Sequence, residues 1–189
     1  MGVSRRDIIA GATLIAAAGL ISREGLAQSP AGAHAYGFDR PGGGRLALSD
    51  YRDRPILVVN TATRCGYAGQ MATLEQLWQR YQSRGMMLLA VPSNDFGGQE
   101  PLNGAAIAEA ARQDHGATYA FVEKTVVRGP EAHPFYRWAA AQRPAEAPRW
   151  NFHKYLIGRD GALIGGFPAA TDPLSPQLVQ AIGRELAAG

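Results

Sequence analysis

The chain has a single cysteine, Cys65. With no second thiol it can close no internal disulfide, and position 68, where a Cys-x-x-Cys dithiol would end, is Ala. A disulfide-stapled scaffold and a dithiol–disulfide exchange enzyme are both excluded. Histidine is scarce too: His34, His115, His133 and His153 show no ligand spacing, so no metal is assigned. No Lys/Arg cluster is interleaved with aromatics and the net charge of +3 is mild, which leaves nucleic acid aside as a partner. There is no internal repeat and no heptad pattern, and no apolar run is comfortable as a permanent membrane span.

What is present suits one soluble domain: 189 residues, 46% hydrophobic and 19% charged. Ahead of it, Ser4-Arg5-Arg6-Asp7-Ile8-Ile9 is a twin-arginine signature, followed by a weakly apolar, Ala- and Gly-rich run. Small-residue cleavage patterns end at Ala27, at Ala33 and at Ala35, and the first is preferred. The expected organisation is a twin-arginine signal peptide over 1–27, a linker over 28–35 and the domain over 36–189. Such a protein is exported already folded to the bacterial periplasm, with no stable membrane insertion after cleavage. An exported cysteine normally pairs, so a lone one reads as a reactive thiol. The bland alternative is a cysteine buried as a small hydrophobe.

The surroundings of Cys65 favour reactivity. An apolar strand over 56–60 stops at small polar residues, and a helical spacing (Leu74, Leu77, Trp78, Tyr81) follows from Gln70. A strand delivering a thiol to the mouth of a helix offers it free N–H groups and a positive dipole end. Gly85 stops the helix, and 86–91 is a second continuous apolar strand, so the unit is a parallel β-α-β crossover. Before it, two short strands flank Pro41-Gly42-Gly43-Gly44, a hairpin. After it come a helix over 105–113 capped by Asn103, an extended segment over 121–127, and a helix from Pro134 to about 142. Another hairpin around 158–161 and a terminal helix complete the chain. This order predicts an α/β, thioredoxin-like fold: a central mixed sheet flanked by helices, with an N-terminal β-hairpin.

Three loops carry the chemistry, at 60–70, 92–101 and 149–154, and their strings are VVNTATRCGYAGQ, VPSNDFGGQEP and WNFHKYLIGRDG. With TLEQLW and AHPFY in the same order, the chain closely resembles the glutathione peroxidase family from residue 36 to about 173. The resemblance implies thiol-dependent reduction of hydrogen peroxide or organic hydroperoxides through a cysteine sulfenic acid. It places the family's catalytic tetrad on Cys65, Gln99, Trp150 and Asn151. Two amides and an indole are donors that stabilise a thiolate and a departing oxygen without a buried counter-charge. At roughly 1.5–3 kcal/mol per bond to a charged group, they would move the thiol by about two pKa units. Asn60 and Gln70 also match the family and are read as braces.

The departures concern recycling. Relatives carry a resolving cysteine near what is Ala111 here, and another common family cysteine is Ser93. The sulfenic acid must therefore be resolved from outside, by glutathione or a thioredoxin-like protein thiol, with no other cofactor. Asp95 and Leu102 replace the family's usual Gln and Gly, at positions suited to altering thiol recognition. The short linker over 143–148 resembles that of the smaller, monomeric relatives, whose open sites go with lipid-derived hydroperoxides. The competing reading is a peroxide sensor, in which oxidised Cys65 signals to a partner without turnover. A peroxiredoxin is disfavoured, because the residues before Cys65 do not fit Pro-x-x-x-Thr-x-x-Cys.

Overall fold

The computed structural model describes residues 32–188. The signal peptide expected over 1–27 lies outside the described residues. The linker expected over 28–35 reaches into the described residues at 32–35. Residues Ala33–Ala35 form a 3-10 turn, Ala33 is buried, and its N–H donates to Gly161 O at 2.8 Å.

The N-terminal hairpin forms as expected, β1 (Gly37–Asp39) pairing antiparallel with β2 (Arg45–Ala47). A 3-10 turn over Leu48–Tyr51 leads to β3 (Ile56–Thr61). α1 (Gln70–Tyr81) then carries the chain back over one face to β4 (Met87–Pro92), and β3 and β4 pair in parallel. Every residue of both strands is buried, the signature of strands covered on two sides. α2 (Ala105–His115), β5 (Ala120–Phe121) and α3 (Pro134–Gln142) follow. The chain ends with β6 (Lys154–Ile157), β7 (Leu163–Phe167) and α4 (Pro176–Ala187). The five-stranded sheet runs β5-β4-β3-β6-β7, with β6 antiparallel to β3 and β7 antiparallel to β6. This is the thioredoxin-like mixed sheet the sequence predicts.

Strand alternation sorts the core into two layers. Leu57 and Val59 face Leu74 and Leu77 of α1 and Leu178 and Ile182 of α4. Ile56 and Val58 face the hairpin residues Phe38 and Leu46 and Phe135 of α3. Each such buried aliphatic contributes about 1.5–3 kcal/mol.

Two local expectations are corrected. Asn103 does not cap α2; Gly104 occupies the cap position, with a φ of 54° that suits glycine. The extended segment over 121–127 shrinks to the two-residue β5. Its remainder leaves the ladder because its N–H groups find scattered acceptors: Glu123 N–H on Asp39 O, Thr125 N–H on Pro92 O, and Val127 N–H on the Asp95 carboxylate.

Candidate active site

Antiparallel β6 explains how three distant loops meet. β3 and β4 end at one edge of the sheet, and because β6 runs the other way, the residues that precede it arrive at that same edge. Loop 62–69, loop 93–101 and the segment 149–153 therefore converge.

Cys65 lies in the first loop and is only 6% exposed. Its Sγ accepts a hydrogen bond from the Tyr67 N–H at 3.4 Å. α1 begins at Gln70, where its spacing predicts it. A turn, closed by Ala68 N–H on Cys65 O at 2.8 Å, stands between sulfur and helix, so the nearest donor belongs to the turn.

The first two loops are wired together by Glu100, which is fully buried. Its carboxylate accepts from Thr63 N–H at 2.9 Å, from Thr63 Oγ1 at 3.0 Å and from Leu102 N–H at 3.2 Å. The Arg64 N–H donates to Gln99 O at 3.0 Å. Gly97 and Gly98, with φ of 71° and 65°, make the tight reversal that sets Gln99 there, a backbone path costly for other residues.

Gln99 and Asn151 are in direct contact. Buried Asn151 donates through Nδ2 to Gln99 Oε1 at 3.0 Å and to Phe96 O at 3.3 Å, which leaves Gln99 Nε2 free to donate elsewhere. Trp150 is 40% exposed, and its ring centroid lies 5.9 Å from that of Phe96. Its carbonyl accepts from Asn60 Nδ2 at 3.1 Å, so Asn60 holds the third segment. Phe152 has a φ of 65°, a conformation that costs roughly 1–3 kcal/mol outside glycine. It is held by burial of its ring and by its N–H on Asn60 O at 2.6 Å. Among the described residues, none of Gln99, Trp150 and Asn151 donates to the Cys65 sulfur, whose one hydrogen bond is that from Tyr67.

Beside Tyr67 and Trp150 opens a cleft of about 440 Å³, walled by Ala145, Ala147, Pro168 and Ala169 with Arg149 and Glu146 at its polar side. It adjoins the thiol loop and is mainly apolar, a suitable approach for a molecule larger than hydrogen peroxide.

Residues 34–140 match the family model described as glutathione peroxidase. A glutathione peroxidase-like peroxiredoxin of Chlamydomonas reinhardtii is 35% identical over 131 residues, 68% of this chain and 81% of the relative. The chain belongs to the glutathione peroxidase family. A hydroperoxy fatty acid reductase of Synechocystis is 34% identical, over 73% of this chain and 88% of that one. The crystal structure of T. cruzi GPX1 superposes with a TM-score of 0.65 at 26% identity, covering 83% of this chain and 97% of that one.

As a member of the glutathione peroxidase family the protein is a thiol-based peroxidase, and its reductant is an external thiol because the chain holds no second cysteine. The positions that depart from the family are occupied structurally. Asp95 turns its carboxylate to the Val127 and Arg128 N–H groups at 2.6 and 3.2 Å. Buried Ser93 accepts the Asp95 N–H through Oγ, and Ala111 faces the core beneath α2. Among the described residues no helix is long and apolar enough to cross a membrane.

Two titratable residues of this family member were not singled out by sequence pattern. Lys154 has no exposed surface, and its Nζ donates to Gln70 Oε1 at 2.6 Å, Thr171 O at 2.6 Å and Ala169 O at 3.3 Å. Gln70 is thus a brace, its own Nε2 bonding Ala169 O at 2.7 Å. Burial pushes Lys154 down to about 8. Next to it, His153 is pushed down to about 4, first by burial and then by the Lys154 charge. A histidine depressed in the fold contributes full stability above its unfolded value near 6.5, and this is lost as pH falls toward 4. His153→Gln should flatten the acid limb of stability between those values, recovering up to about 3 kcal/mol near pH 4. Urea titrations of both proteins from pH 7 to 4 check this, and parallel acid limbs would contradict it.

Proposed function

We propose that Cys65 is the peroxidatic nucleophile and that Gln99, Trp150 and Asn151 complete its catalytic set. The observation that carries this reading is the wiring of Gln99 against the Cys65 loop, with Asn151 bonded to Gln99. The thiolate attacks one peroxide oxygen; the O–O bond breaks and an S–O bond forms. The departing oxygen takes a proton and leaves as water or an alcohol. The sulfenic acid then condenses with an external thiol, releasing water and forming a mixed disulfide. A second thiol regenerates Cys65. Gln99 Nε2 and the exposed Trp150 indole are the donors left to meet the peroxide, while Asn151 positions Gln99.

The donors are tested by Gln99→Ala and Trp150→Phe. Each should slow reaction with peroxide roughly ten- to a hundredfold, since a bond to a developing charge is lost. Stopped-flow rates under single turnover are the readout. Unchanged rates in both variants contradict the donor set.

The apolar cleft and the relative named for reducing hydroperoxy fatty acids support organic, lipid-derived hydroperoxides as substrates. Glutathione or a thioredoxin-like protein is the proposed reductant, and the short segment 143–148 supports a monomer. Steady-state peroxide consumption with glutathione or a thioredoxin system tests turnover. Sulfenic acid formation with no turnover by either would favour the sensor reading instead. The twin-arginine signature supports export to the periplasm. Cleavage after Ala27 keeps the packed turn Ala33–Ala35, whereas cleavage after Ala33 or Ala35 removes part or all of it. Cell fractionation of the full chain and of an Arg5→Lys/Arg6→Lys variant decides: export should fail in the variant.

A further inference from the structure

Lys154 is an unexplained charge in the core. Among the described residues no carboxylate makes an ion pair with it. Its three partners, Gln70 Oε1 and the Thr171 and Ala169 carbonyls, solvate the ammonium without neutralising it. A buried charge left unneutralised is costly, and an apolar residue would fill the place more cheaply. Its position gives it a use. Lys154 pairs with Val59 across the β3–β6 ladder, and Val59 and Cys65 belong to the same core layer beneath α1. Its Gln70 partner opens α1, and the Gln70 N–H donates to Tyr67 O at 2.8 Å. Tyr67 in turn gives its N–H to the Cys65 sulfur. The ammonium is therefore anchored to the turn that holds the thiol, across an interior that screens charge far less than water.

We propose that Lys154 is a positioning residue for the peroxidase reaction: through Gln70 it fixes the Cys65 turn, and its buried positive charge favours the Cys65 thiolate. This rests on Cys65 being the peroxidatic thiol.

The other charged groups nearby do not take over this role. On the Lys154 side, Asp172, ahead of α4, is felt as an opposing negative charge, and neutral His153 precedes it in the chain. Around Cys65, Arg64 is exposed on its own loop, and Tyr67 contributes its backbone N–H. Glu100, from the β4 loop, is committed to Thr63 and Leu102, with Lys124 bonded to the carbonyls of Glu100 and Leu102. Burial depresses Lys154 only to about 8, so the ammonium persists at neutral pH.

The pH midpoint for alkylation of Cys65 by iodoacetamide is the test, with melting curves in parallel. Lys154→Met and Lys154→Gln should both raise the midpoint by about one unit, a roughly tenfold loss of thiolate at neutral pH. A midpoint unchanged in both overturns the proposal. So does a shift in Lys154→Met with none in Lys154→Gln, because bracing by hydrogen bonds would then suffice without charge. A reciprocal measurement needs no variant: alkylation removes the anion, so Lys154, followed by NMR, should titrate at lower pH than in the reduced protein. An unmoved Lys154 also overturns the proposal. Alkylation reads the only cysteine whether or not peroxide is consumed, so failure of the peroxidase reading is seen separately, in turnover.

Discussion

Cys65→Ser is expected to reduce peroxide consumption to the uncatalysed background at every thiol concentration while leaving the fold intact. The chain holds no other thiol to form a sulfenic acid, and a serine hydroxyl is neither ionised near neutral pH nor nucleophilic toward the O–O bond. The substitution is small, and Cys65 sits at the margin of the core beside Ala62 and Met71, so a loss of only about 1 kcal/mol is expected. Peroxide consumption and a melting curve on the same sample separate chemistry from unfolding. Appreciable residual turnover in a folded variant would mean that Cys65 is not the nucleophile.

Glu100→Ala is expected to have the largest effect on stability among the site residues. The buried carboxylate serves Thr63 N–H, Thr63 Oγ1 and Leu102 N–H, and truncation strands these half-buried donors. Leaving them unsatisfied costs about 3 kcal/mol or more. For a chain of this size that is a fall of roughly 6–12 °C in melting temperature. Because Glu100, the residue after Gln99, ties the Gln99 loop to the Cys65 loop, peroxide reduction should fall at least roughly tenfold at a temperature where the variant is still folded. Glu100→Gln should not rescue it. One amide oxygen can still serve Thr63 Oγ1 and Leu102, but the NH₂ group then confronts the Thr63 N–H, donor against donor. A variant that melts and turns over like the parent would show that the two loops are held by other means.

The periodic parts of the chain were legible in sequence. The apolar runs gave β3 and β4, Pro134 marked the start of α3, and the paired hairpin signals placed β6 and β7. The convergence of three loops followed from that topology. What escaped are the charged and polar residues whose burial depends on register. Lys154 stands at the edge of an apolar run, where a lysine reads as a solvated flank; only its pairing with Val59 turns it inward. Glu100 reads as part of a polar loop, and its three donors come from residues 63 and 102. Asp95 reads as a position suited to altering thiol recognition, and its part in anchoring the backbone of residues 127 and 128 has no signal in the sequence. The left-handed Phe152 has no local signal, because a bulky residue there is favoured only by the Asn60 carbonyl and the core around it. The emphasis on the helix end also shifts, because the donor in contact with sulfur comes from the Cys65 turn itself.

The most direct measurement is a single turnover of the reduced protein with one equivalent of an organic hydroperoxide, followed by mass spectrometry and then by addition of glutathione or a thioredoxin system. The expected result is one added oxygen located at Cys65 and an equivalent of alcohol, with return of the free thiol once reductant is supplied. Peroxide left unconsumed, or oxygen found on methionine while Cys65 remains a thiol, would contradict it.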